Sequence, residues 1–192
     1  MQDFWIYFTL GYEHIADLNG YDHILFVAAL CIGYLPRDWK KILILVTAFT
    51  IGHSITLALS ALKLLNVSSE WIEFLIPVTI VITALANISR TKESSGKSMN
   101  LNYLLAIFFG LIHGLGFSNY LKSLLGSDSS IISQLLAFNL GLEIGQLVIV
   151  AAILLLSVIC IQVFKFERRS YILFTSGSIF GIALIMALER IP

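Results

Sequence analysis

Long uncharged apolar runs constrain the fold of this chain most strongly. Of its 192 residues, 58% are hydrophobic and only 12% are charged, whereas a typical soluble domain carries roughly a quarter charged residues. A helix that crosses a bilayer needs about 20 predominantly apolar residues. The sequence therefore predicts one membrane domain over residues 1–192, with the lipid bilayer as its surroundings.

Six apolar segments bounded by charged residues have lengths typical of membrane helices. They are residues 21–35, 42–62, 71–88, 101–121, 135–163 and 171–188. Residues 4–18 are also apolar, but the segment is short and ends in charged side chains, which favours an interfacial or re-entrant helix. The predicted fold class is an all-α polytopic membrane helix bundle with six transmembrane helices and this short N-terminal helix.

The basic residues predict the orientation of the bundle. Nine of the 12 follow the first, third and fifth segments, and three lie on the other side. The nine are Arg37, Lys40, Lys41, Arg90, Lys92, Lys97, Lys165, Arg168 and Arg169, and the three are Lys63, Lys122 and Arg190. Because short loops rich in Lys and Arg stay in the cytoplasm, both termini are expected outside. The 12 basic and 12 acidic residues are spread as short loop groups, so nothing resembles the basic surface typical of nucleic-acid binding.

Ionisable residues inside the apolar segments are the main functional signal. They are His14, His23, His53, His113, Asp22, Glu73 and Glu143. A charged side chain at the bilayer centre costs at least about 2.5–3.5 kcal/mol, and such residues usually mark an ion path, a proton relay or a metal site. With the termini outside, we expect these groups to converge from five helices on one outward-facing pocket.

The fifth apolar segment carries a polar stripe. A rotation of about 100° per residue brings Asn139, Glu143 and Gln146 to one face, with Gly141 and Gly145 on the opposite side as a pair suited to close helix packing. The inner half of the same segment, residues 147–156, is wholly apolar. A continuous proton path through it is therefore not expected.

The residue types also indicate the chemistry of the site. Imidazole and carboxylate without thiolate suit nickel, cobalt, zinc or iron(II), whereas copper(I) favours Cys or Met. Cys31 and Cys160 fall in the inner halves of their segments, away from the cluster, and we expect both to be structural. Asn139, Gln146, Glu73 and Ser54 are expected to support the ligands rather than to bind the metal.

Four sequence pieces together resemble the HupE/UreJ family of bacterial membrane proteins. They are HIADLNGYDHILF at positions 14–26, FTIGHSITL at 49–57, FGLIHGLGF at 109–117 and FNLGLEIGQL at 138–147. The resemblance implies a multi-pass protein of the bacterial inner (cytoplasmic) membrane that accompanies nickel enzymes and acts as a nickel or cobalt permease. Carried over by position, its metal residues are His14, Asp22, His23, His53, His113 and Glu143.

The main functional hypothesis is therefore a permease for a divalent transition-metal ion, nickel or cobalt, with zinc as a further candidate. One alternative is an intramembrane zinc-dependent hydrolase resembling the alkaline ceramidases and adiponectin receptors. Ser54 beside His53, with Asp22 and His23, would there hold a zinc-activated water. A sensor or accessory subunit that binds the ion without moving it predicts the same ligands. The expected partners are lipid and the metal ion, and the oligomeric state, including a homo-oligomer, is left open.

Overall fold

The computed structural model describes residues 2–65, 67–89, 99–118, 120–121 and 131–192. Within these ranges the chain forms α-helices and no strand, so the all-α prediction is confirmed there. The helices are α1 (Gln2–Ala16), α2 (Asp22–Cys31), α3 (Trp39–Ala61), α4 (Ser69–Ser89), α5 (Met99–Gly116), α6 (Ile131–Val158) and α7 (Arg168–Glu189). A 3₁₀ turn, Pro36–Asp38, precedes α3, and a π-helical turn, Ile159–Val163, continues α6.

Four of the described helices are long and apolar enough to cross a bilayer. They are Pro36–Ala61, Ser69–Ser89, Ile131–Val163 and Arg168–Glu189. They match the second, third, fifth and sixth predicted segments. The first and fourth segments correspond to shorter apolar helices, Asp22–Cys31 and Asn102–Gly116. By length and composition, these helices are typical of a membrane protein.

Helix α1 packs along α6 through glycines on both helices. A side chain at Gly141 would collide with the carbonyl oxygen of Phe8, and one at Gly11 would collide with that of Phe138. Gly145 lies in the same way against Ile15. Since Phe8 meets Gly141 and Ile15 meets Gly145, the two helices run in the same direction. The close packing predicted for the glycine pair of this segment is thus observed, with α1 as the partner.

Helix α2 follows α1 along the length of α6. Its residues Val27 and Cys31 pack in one apolar cluster with Val150, well beyond the stretch of α6 that α1 covers. Between the two helices, Asp17 Oδ1 accepts a hydrogen bond of 2.8 Å from the Asn19 N–H. The chain therefore breaks its first helical pass beside the middle of α6, and this break brings His14 and His23 together.

Helices α3 and α5 form a second glycine-mediated pair. Side chains at Gly110 and Gly114 would collide with the carbonyl oxygens of Phe49 and His53, respectively. A side chain at Gly52 would meet the Ile107 carbonyl from the other direction. This backbone contact places His53 of α3 beside His113, which immediately precedes Gly114 on α5.

One end of the bundle gathers basic side chains. Arg168 Nη2 donates to the Gly33 carbonyl at 2.7 Å, and Arg169 Nη2 donates to the Ile88 carbonyl at 2.6 Å. We call this the basic end, defined by Arg37, Lys40, Lys41, Arg168 and Arg169. The opposite end is the one where α3 ends and α4 begins. Arg90, Lys92, Lys97 and Lys122, which also entered the orientation prediction, lie outside the described residues.

Candidate metal centre

Three histidines from three helices meet inside the bundle. His14 lies in the last turn of α1, His23 in the first turn of α2, and His53 in the second half of α3. Each offers one ring nitrogen, and these three atoms all lie within 4.8 Å of one another. The ring centroids of His14 and His23 are 4.6 Å apart, and those of His14 and His53 are 5.8 Å apart. We call this group the three-histidine cluster.

Four of the six ring nitrogens in the three-histidine cluster are buried without a hydrogen-bond partner among the described residues. These buried atoms are His14 Nε2, His23 Nε2 and both ring nitrogens of His53. His53 is fully buried and His23 is 5% exposed. Because a buried polar atom without a partner costs about 1–3 kcal/mol, four such atoms in one place indicate a site built to receive a ligand. Neutral imidazole nitrogens at this spacing suit a divalent transition-metal ion.

Asp22 contacts the cluster through His23. Its Oδ1 lies 2.9 Å from His23 Nδ1 and also accepts the His23 backbone N–H at 2.8 Å. Its Oδ2 lies 3.6 Å from Arg190 Nη1, at the end of α7. A carboxylate that holds one ring nitrogen of a histidine fixes the tautomer and turns the other nitrogen toward a metal. The structure thus brings Asp22 to the centre as the partner of His23.

His113 lies beside the three-histidine cluster. Its ring centroid is 5.1 Å from that of His23, and it is fully buried. Its Nε2 lies 3.0 Å from Thr79 Oγ1, whereas its Nδ1 has no partner among the described residues. The structure therefore brings together all four histidines of the sequence, with Thr79 of α4 as an additional contact.

The polar stripe of α6 faces α3. Glu143 Oε1 accepts a hydrogen bond of 2.7 Å from Thr47, and Gln146 Oε1 accepts one of 2.8 Å from Thr50. Asn139 Oδ1 is buried without a partner among the described residues. The Glu143 carboxylate is therefore hydrogen-bonded to a threonine of α3. It does not belong to the group of ligand atoms that lie within 4.8 Å of one another.

The remaining predicted residues lie at the edge of the centre or away from it. Ser54 donates its hydroxyl to the Thr50 carbonyl at 2.6 Å, and Glu73 is exposed on the first turns of α4. Cys31 is a free thiol buried in the apolar cluster with Val27 and Val150, and Cys160 is a free, half-buried thiol.

Two residues that sequence reasoning missed also belong to the centre. Thr79 contacts His113, and Arg190 pairs with Asp22. Thr79 opens a run of polar residues at four-residue spacing, Thr79, Thr83 and Asn87, and that periodicity on an apolar helix is a signal that could have identified it. Arg190 carries no such signal, because its contact depends on how α7 packs.

Comparison with known proteins agrees with this picture. The family model described as HupE / UreJ protein matches residues 1–190. No curated protein and no solved structure matches the chain. The match covers essentially the whole sequence, including all four histidines, and confirms the resemblance seen in the motifs. The chain belongs to the HupE/UreJ family.

Proposed function

We propose that this protein is a permease for a divalent transition-metal ion, nickel or cobalt, which binds at the three-histidine cluster. The observation that carries the proposal is the set of buried imidazole nitrogens within 4.8 Å of one another and without partners among the described residues. Imidazole suits nickel, zinc and iron(II), and no thiolate lies among these ligands to favour copper(I). Membership of the HupE/UreJ family supports nickel or cobalt over zinc.

We assign the first ligands to the ring nitrogens of His14, His23 and His53. Asp22 holds His23 by its Nδ1, so His23 binds through Nε2. His113 joins them through Nδ1, since its Nε2 is engaged by Thr79. Glu143 provides a carboxylate on α6, where its bond from Thr47 also holds α3 and α6 in register. Asn139, Gln146, Ser54 and Glu73 have supporting roles.

The proposed membrane arrangement has six crossings with both termini outside. Helix α2 has 10 residues, which at 1.5 Å per residue is about half of the hydrocarbon thickness of about 30 Å. It completes a crossing only together with α1, which lies before it along α6. The basic end then faces the cytoplasm of a bacterium, and the metal ion enters from the opposite end.

The permease proposal is tested with purified protein in liposomes that contain a nickel-sensitive dye. Wild-type protein is expected to bind Ni²⁺ and to carry it inward, whereas His53→Ala and His14→Ala abolish both. Cys160→Ala is the matched control and is expected to behave as wild type. Equal retention of binding in the histidine variants would show that the ion binds elsewhere.

The same preparation separates the alternatives. Binding without uptake in any orientation would contradict the permease and favour a sensor or accessory subunit. Zinc-dependent release of fatty acid from added lipid amides would contradict it in favour of a hydrolase. Ser54 donates its hydroxyl to the Thr50 carbonyl, so Ser54→Ala is the variant that tests the hydrolase, which should lose activity only if that alternative is correct.

A further inference from the structure

A polar stripe on α4 leads from the histidines toward the basic end. Thr79 contacts His113 Nε2 at 3.0 Å. One turn further, Thr83 donates to the Thr79 carbonyl at 2.8 Å, and one more turn on, Asn87 donates to the Ala29 carbonyl at 2.6 Å. Residues four apart share one face of a helix, so these three side chains form a continuous line that ends where Arg169 binds the Asn87 carbonyl.

A cavity lies beside the second half of this stripe. Its polar lining comes from Thr83 and Asn87 of α4, Asn102 of α5 and Tyr34, which follows α2. The apolar remainder of its wall includes Phe109 of α5. The cavity thus offers hydroxyl and amide groups in the half of the bundle where residues 147–156 of α6 offer none.

An aromatic layer separates the histidines from the cavity. Three histidines each have a phenylalanine one turn nearer the basic end on the same helix. These pairs are His23 with Phe26 on α2, His53 with Phe49 on α3, and His113 with Phe109 on α5. The ring centroids of Phe26 and Phe49 are 5.0 Å apart, and those of Phe26 and Phe109 are 5.9 Å apart.

Beside His113, helix α4 contributes a hydroxyl to this layer, whereas α2, α3 and α5 contribute aromatic rings. On the α6 side of the layer, Thr47 and Thr50 of α3 are hydrogen-bonded to Glu143 and Gln146. Phe26 and Phe49 lie 4.9 Å and 5.2 Å from the His113 ring, and Thr79 contacts the same ring from α4. A cation that leaves the histidines must replace its ligands, and oxygen atoms of hydroxyl and amide groups are suited to do so, whereas phenylalanine side chains carry none. The α4 stripe is therefore a polar side of the barrier that continues toward the basic end, whereas α6 is apolar over residues 147–156.

We propose that Thr79, Thr83 and Asn87, together with the cavity beside them, form the route by which the metal ion passes from the histidines to the basic end. The layer of Phe26, Phe49 and Phe109 is the barrier that closes this route between transport events. The inference rests on the proposed permease function and adds the path that the ion takes after it leaves the three-histidine cluster.

The first test compares nickel uptake and nickel binding in three threonine variants. Thr83→Val removes the hydroxyl at nearly constant volume and is expected to slow uptake about tenfold, the effect of one lost polar partner for a charged group. Affinity at the histidines should stay unchanged. Thr83→Ser should restore uptake, and Thr9→Val, on an exposed face of α1, should have no effect. Uptake by Thr83→Val equal to that of wild type would overturn the route.

A second test does not depend on detecting uptake. In a background of Cys31→Ala and Cys160→Ala, Asn87→Cys should react with a charged, water-soluble thiol reagent added on the side of the basic end. Leu85→Cys, on the lipid-facing side of α4, should not react. Failure of Asn87→Cys to react from that side refutes the route whatever the transport result. Reaction together with absent uptake by wild-type protein refutes the permease instead.

Discussion

Asp22 holds the ring of His23 rather than joining the three-histidine cluster, so its replacement should weaken metal binding by a limited and calculable amount. The Oδ1 to Nδ1 distance is 2.9 Å, and the Asp22 side chain is 13% exposed. Loss of a carboxylate that orients a ligating histidine typically lowers metal affinity about 10- to 100-fold, or about 1.4–2.8 kcal/mol. Asp22→Asn keeps a neutral hydrogen bond to His23 and should lower the metal affinity about tenfold. Asp22→Leu removes the hydrogen bond and should lower the affinity about a hundredfold.

Arg190 provides the matched comparison. It contacts the other oxygen of Asp22 at 3.6 Å, and its side chain is 34% exposed. Ion pairs of this kind contribute about 0–1 kcal/mol, so Arg190→Gln should lower affinity less than about fivefold. Calorimetric titration of the purified variants with Ni²⁺ measures all three values. Unchanged affinity in Asp22→Leu, or a loss as complete as in His53→Ala, would refute the orienting role and, in the second case, make Asp22 a ligand.

Three further predictions concern packing, topology and pH. Gly141→Ala pushes a methyl group into the backbone of α1 and should destabilise the protein by about 1–3 kcal/mol, whereas Gly181→Ala, with open space around it, should change thermal stability little. Cysteines introduced at Lys40, Lys92 and Arg168 should be labelled from the cytoplasm, and labelling from outside alone would invert the proposed orientation. Nickel affinity should fall as the pH on the outer side drops, because an imidazole nitrogen must be free of its proton to bind a metal. In oriented vesicles, an affinity that followed the pH on the cytoplasmic side instead would contradict the outward-facing site.

The sequence predicted the parts of the fold that depend on hydropathy. Long apolar runs identify α3, α4, α6 and α7, because lipid selects for uninterrupted apolar side chains whatever the neighbouring helix is. The glycine pair of α6 correctly indicated a close partner. The pair did not indicate that this partner is α1, because small residues permit a close approach and do not specify which helix makes it.

The candidate site was predictable in composition but not in geometry. The presence of His14, His23 and His53 in apolar segments indicates a metal site from the sequence alone. The partner of Asp22 could not be predicted, because a short carboxylate beside a histidine can turn toward the ring or toward the ion, and the choice depends on rotamers. Thr79 was missed because a threonine in an apolar helix usually bonds its own backbone, and only the approach of α5 places His113 beside it.

The pairing of α1 with α6 sets the order in which the centre can be assembled during synthesis. Gly11 of α1 packs against the Phe138 carbonyl of α6. Helix α1 can therefore reach its packed position only after α6, more than a hundred residues later in the chain, has been synthesised. Contacts at such separation form late, after the intervening chain has been placed. His23, His53 and His113 can meet once α5 is in the membrane, but His14 joins them only after α6 has been made. A ribosome stalled before Phe138 would therefore hold a nascent chain without a complete three-histidine cluster.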